Sequence, residues 1–290
     1  MPDEKLDIEL YRIEQIYDAE LKDKYTKFQA VPDSELQQHE EYQRNLETFL
    51  EEWNEAGIAK LARHVVHRKA TLSFLESRLR VKEDGKYHLE NAVHRIIFPL
   101  KTTSDDVPYD RMNLWIIDEK LAYHQYLASD LELRSMDGSG VHTDSPSRPD
   151  LAIFNAPSAF VDGGPPFGSV VLVEFKRPTR NDYDSEENPI IQLYDYVREI
   201  KAGSKKDHHG RPINVAQHTP FYGYIVCDIT SKLRMQAENA QLTETPDSNG
   251  YFGYNSNVGI YIEVISFDKL VGDAGQRNRF LFDTLGLPGA

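Results

Sequence analysis

The chain has 290 residues, 40% of them hydrophobic, which suits one large domain or two small ones and provides enough apolar surface for a real core. Its 33 Lys and Arg face 47 Asp and Glu, a net charge of −14, so most of its surface should repel nucleic acid. There is no run of about 18 apolar residues and the start, Met1-Pro2-Asp3-Glu4, is acidic, so neither a membrane span nor a signal peptide is expected and a cytoplasmic protein is.

Residues 3–80 read as helical. Leu46, Phe49, Leu50 and Trp53 recur at helical spacing, and Ile58, Leu61, Val65, Leu72, Leu75 and Leu79 continue a similar stripe. Val31-Pro32-Asp33-Ser34 interrupts the pattern, which predicts at least two helices before Gly57 and a long one after it. The acids concentrate in residues 1–56, whereas Lys60, Arg63, Arg68, Lys69, Arg78, Arg80 and Lys82 make the next stretch basic. His64 and His67 lack a third ligand nearby and are read as helix-surface residues. Residues 1–82 are therefore taken as a helical extension and 83–290 as an α/β domain.

Within that domain His88–Pro99 reads as a helix ended by proline, followed by strands at Leu114–Ile117, Pro149–Phe154 and Gly168–Lys176. Asn188 is a suitable N-cap and Pro189 a suitable first helical residue, so a helix starts there. A strand at Tyr222–Cys227, a helix at Ser231–Ala240, a strand at Val258–Ile265 and a helix at Phe267–Leu285 complete the series, with Gly250–Tyr254 as an aromatic turn. Basic residues Lys201, Lys205, Lys206 and Arg211 follow the Asn188 helix. Cys227, the only cysteine, excludes an intrachain disulfide and a cysteine-based zinc finger, and its place in a strand assigns it to packing. No P-loop and no GxSxG elbow is present. The fold class expected is a mixed sheet flanked by helices.

The chemistry concentrates in Pro149-Asp150 and Glu174-Phe175-Lys176. Alternation along the second strand places Val171, Val173 and Phe175 on one face and Val170, Leu172, Glu174 and Lys176 on the other. If the two strands pair antiparallel through the loop 155–167, Asp150 comes beside Glu174. Two charges at the end of an apolar strand are costly to bury without partners, which calls for a bound ion or a polar substrate. Two carboxylates with water are what Mg²⁺ prefers, and a lysine can orient an attacking water or neutralise developing charge.

These residues resemble the PD-(D/E)xK nuclease superfamily. Gln192 and Tyr196, four apart on one helix face, look like the QxxxY motif of its RecB-like branch, and Glu90 matches the acid that the family supplies from its first core helix. The stretch Asn113–Asp130 also looks like the C-terminal region of bacterial GHKL-type ATP-binding proteins, and the outline is similar to the nuclease domain of Shedu antiphage proteins. The resemblance implies a restriction-endonuclease-like core and a Mg²⁺- or Mn²⁺-dependent DNA endonuclease of an antiphage system. It implies metal on Glu90, Asp150, Glu174 and the carbonyl near Phe175, Lys176 on the attacking water, and Gln192 and Tyr196 as support. DNA, an ATPase domain or subunit and a second copy of the chain are the partners it suggests. His94 and His124 are candidate general bases, with a structural hydrogen bond the commoner role for either. The alternative reading is a catalytically silent scaffold of the same fold that serves oligomerisation or ATPase docking.

Overall fold

Seven short strands, two of them (Val170–Phe175 and Ile260–Ile265) rich in β-branched residues, form one sheet in the computed structural model, which describes residues 40–80, 90–136, 143–154, 169–183, 187–202 and 219–287 with a few positions between 19 and 26. The strands are β1 (Tyr126–Ser129), β2 (Leu151–Phe154), β3 (Val170–Phe175), β4 (Phe221–Val226), β5 (Thr243–Glu244), β6 (Gly250–Asn255) and β7 (Ile260–Ile265). They lie in the order β1-β2-β3-β4-β7-β6-β5. The β3–β4 and β4–β7 pairs are parallel, and the others are antiparallel. Five helices are described: α1 (Glu40–Leu79), α2 (Glu90–Ile97), α3 (Pro189–Ala202), α4 (Ser231–Asn239) and α5 (Phe267–Thr284). The expected mixed sheet with flanking helices is therefore present.

The chain divides into two compact units, Met1–Arg68 and Lys69–Ala290, and the sheet lies wholly in the second. One helix, α1, runs through Gly57, where a break was expected. Gly57 is exposed, with nothing within 4 Å of where a Cβ would stand. Glycine inside a helix costs only about 1 kcal/mol relative to alanine, too little to interrupt so long an element.

The middle strands are buried on both faces, as parallel strands under helices require. One face carries Val170 and Leu172 of β3 together with Phe221, Ile225, Ile260, Ile262 and Val264, covered by Ile190, Leu193 and Val197 of α3 and by Leu233 and Ala237 of α4. Full burial of each such side chain contributes about 1.5–3 kcal/mol. Gly223 of β4 makes room for the helix, since a Cβ there would lie 2.7 Å from Leu193 Cδ1. On the other face α2 meets β3, with the His94 and Phe175 rings 5.0 Å apart.

Two assignments change. Leu114–Ile116 is a buried 3₁₀ turn rather than a strand, and the Arg277 guanidinium of α5 donates to the carbonyls of Trp115, Ile116 and Ile117. Those carbonyls are thus satisfied without a neighbouring strand. Gly250–Tyr254, expected as a turn, lies in strand β6.

Candidate active site

Asp150 and Glu174 meet because β2 and β3 pair antiparallel with Leu151 opposite Val173. That register sets Asp150, just before β2, against Glu174 near the end of β3. The Asp150 N–H faces Glu174 Oε1 at 3.4 Å, and Asp150 Oδ2 accepts the Phe175 N–H at 2.7 Å. Asp150 is therefore fastened to the backbone of the strand that carries the second acid. Glu174 itself is buried.

Its charge is met by Lys176. Lys176 Nζ lies 3.0 Å from Glu174 Oε2 and donates to Gln192 Oε1 at 2.9 Å. The strand period supplies the first contact and α3 the second. Asn188 caps α3, its Oδ1 accepting the Ile190 N–H at 3.0 Å, and Ile190, Leu193, Tyr194 and Val197 are buried. This clamps the helix to the sheet and turns Gln192 toward the lysine. One turn on, the Tyr196 hydroxyl donates to the Arg148 carbonyl at 3.3 Å. Burial, with the Glu174 charge next, holds the Tyr196 hydroxyl well above its usual range, so it stays protonated and remains a donor.

His94 of α2 enters from the opposite face. Its Nε2 lies 2.9 Å from Ser129 Oγ, and its Nδ1 lies 3.7 Å from Asp150 Oδ1. Burial, aided by Arg95, pushes the imidazole down to about 4, so the ring is neutral near pH 7. At that distance and charge the His94–Asp150 contact is polar packing rather than an ion pair. His94 thus belongs to the constellation, whereas His124 does not: its Nδ1 makes a local contact of 2.9 Å with the Leu121 carbonyl.

Of the residues singled out in sequence, Asp150, Glu174, Phe175, Lys176, Gln192 and Tyr196 are brought together. Glu90 opens α2, but its side chain lies outside the described residues. Among the described residues no group of three or more His, Cys, Asp and Glu side chains is gathered to hold a metal. Sequence reading did not single out Ser129 or Arg148. Ser129 ends a four-residue strand with no alternation, and Arg148 was obscured by the Pro149-Asp150 signal beside it.

No protein-family model matches the chain, and neither curated proteins nor solved structures give a significant match.

Proposed function

We propose that the chain is a Mg²⁺- or Mn²⁺-dependent endonuclease that hydrolyses DNA phosphodiester bonds. The observation that carries this reading is the convergence of Asp150, Glu174 and Lys176 at one end of paired strands, with Gln192 Oε1 holding the lysine ammonium at 2.9 Å. A role in antiphage defence and attachment to an ATPase follow from the family resemblance alone.

The donor set fits a hard divalent cation. Both side chains are carboxylates, Asp150 is anchored to the Phe175 N–H, and Mg²⁺ commonly needs only one or two protein carboxylates, completing its shell with water and substrate phosphate. Asp150 and Glu174 would hold the ion, with Glu90 and the Phe175 carbonyl as the further ligands that the family resemblance implies. When bound, such an ion polarises a phosphoryl oxygen and lowers the pKa of water.

The remaining work falls to the protein's own groups. Lys176, steered by Gln192, orients the attacking water and stabilises negative charge that grows on the phosphoryl oxygens. Its buried position beside Glu174 keeps that charge in a low-dielectric setting, where it acts more strongly than in water. Tyr196 fixes the backbone at Arg148, two residues before Asp150, and so holds that acid in register. His94 and Ser129 support Asp150 from the other side.

The test is cleavage of supercoiled and linear duplex DNA with Mn²⁺ or Mg²⁺ by wild type, Glu174→Gln and Lys176→Ala, with circular dichroism confirming folded protein. Cutting by wild type that is lost in both variants is expected. Equal cutting by Lys176→Ala, or none by wild type with either ion, contradicts the proposal.

A further inference from the structure

An acidic chain with a nuclease-type site faces a charge problem. At −14 overall it must hold a polyanion against its own field, so the site needs local cations that can leave their protein partners. The rim of the site contains two arginines in that condition.

Arg148 stands two residues before Asp150, and its backbone carbonyl receives the Tyr196 hydroxyl. Its guanidinium turns toward the β1 side, with Asp130 at 3.4 Å and Glu132 at 3.9 Å. Both distances exceed the roughly 2.7–2.9 Å of a good charge-assisted bond, and the side chain is 45% exposed. Arg177 directly follows Lys176 on the other flank. Its loop leans toward the β4 side: the Thr179 N–H donates to Asp228 at 2.6 Å, and the Thr230 hydroxyl donates to the Arg180 carbonyl at 3.1 Å. The Arg177 side chain is 54% exposed and, among the described residues, has one carboxylate partner, Asp182, at 2.8 Å.

Arg180 makes the contrast. It is 15% exposed, paired with both Asp182 and Glu187, and set against the Tyr183 ring at 5.0 Å, so it holds the loop together. Exposed ion pairs such as that of Arg177 contribute little, so exchanging a carboxylate for a phosphate costs little, and a guanidinium can bind phosphate bidentately. The geometry is also suitable. Arg148 stands just before β2 with its guanidinium toward the β1 side, and Arg177 follows β3 in a loop held toward the β4 side, so the two bracket the Asp150–Glu174 pair.

We propose that Arg148 and Arg177 grip the DNA phosphates on either side of the scissile bond, forming a two-point clamp across the carboxylate site. Asp130 and Glu132 on one side and Asp182 on the other hold the guanidinium groups until the phosphates replace them. This rests on the nuclease reading above and names the groups that hold its substrate.

The experiment is binding of a fluorescent duplex DNA oligonucleotide in EDTA, followed by anisotropy over a range of salt, with Mn²⁺ affinity measured separately by calorimetry. Arg148→Ala and Arg177→Ala should each reduce the slope of log affinity against log salt by about 0.9 and weaken binding about fivefold at 0.15 M salt. Mn²⁺ affinity should stay at the wild-type value. Asp182→Asn, which frees Arg177 and leaves Arg180 its Glu187 partner, should tighten binding, a gain that misfolding does not produce. If wild type binds DNA and both alanine variants keep its slope and affinity, the clamp is overturned while the nuclease reading stands. If wild type takes up neither Mn²⁺ nor DNA, both fail.

Discussion

Replacing Lys176 with Met keeps most of the side-chain volume and removes its charge, leaving Glu174 buried without its cation. The two side chains are 7% and 5% exposed, with 3.0 Å between Nζ and Oε2. At an effective dielectric near 20, Coulomb's law gives about 5.5 kcal/mol of gross attraction at that separation. Removing one partner of a buried pair costs about 3–5 kcal/mol net, because the stranded charge keeps its desolvation penalty. Glu174 retains the Asp150 N–H at 3.4 Å, which favours the lower end, about 3 kcal/mol. The double variant Glu174→Gln/Lys176→Met carries no stranded charge and should lose only about 1 kcal/mol. Urea denaturation at pH 7 in EDTA measures both. A Lys176→Met protein within about 0.5 kcal/mol of wild type, or a double variant no more stable than the single one, would refute the reasoning.

Two further expectations probe the sheet. Gly223→Ala places a Cβ 2.7 Å from Leu193 Cδ1 and 3.1 Å from Ile260 Cδ1, so it should cost about 1–3 kcal/mol, and adding Leu193→Ala, which vacates the space, should add less than its cost in wild type. Chemical denaturation of the four proteins checks this, and strict additivity contradicts it. Burial pushes the Glu263 carboxyl above its usual range, with Asp118 and Asp273 adding to the shift and Lys120 and Lys269 opposing it. The folded state then binds the proton more tightly than the unfolded one, so this group favours folding below its unfolded pKa and loses that contribution as pH rises. Glu263→Gln should therefore be more stable than wild type at pH 7, with the difference closing below pH ~4; no difference at pH 7 contradicts it.

Much of the core was legible because its signals were local. Val170–Phe175 is β-branched and apolar, Pro178 ends its neighbourhood, and the alternation that put Glu174 and Lys176 on one face is the one the 3.0 Å contact requires. Asn188-Pro189 likewise announced the helix that carries Gln192 and Tyr196. What escaped depended on tertiary partners. Tyr126–Ser129 is short and buried at every position, so it has no alternation to read. Leu114–Ile116 looks like a strand in sequence, but Arg277, far along the chain, supplies the donors for its carbonyls. Gly250 and Gly253 suggested a turn. They are in β6 because a Cβ would come 2.4 Å from the Val264 carbonyl oxygen at Gly250 and 2.9 Å from Leu242 Cδ2 at Gly253, approaches visible only after folding. His94 and His124 were candidates by residue type alone, and what separates them is tertiary: α2 packs on Phe175 from the opposite face and sets His94 beside Asp150.

The most direct measurement is a crystal structure of the protein soaked with Mn²⁺, read by anomalous scattering. The account predicts a peak within about 2.0–2.3 Å of carboxylate oxygens of both Asp150 and Glu174, lost in Glu174→Gln. A well-ordered site at saturating Mn²⁺ with no peak between those two carboxylates would contradict it.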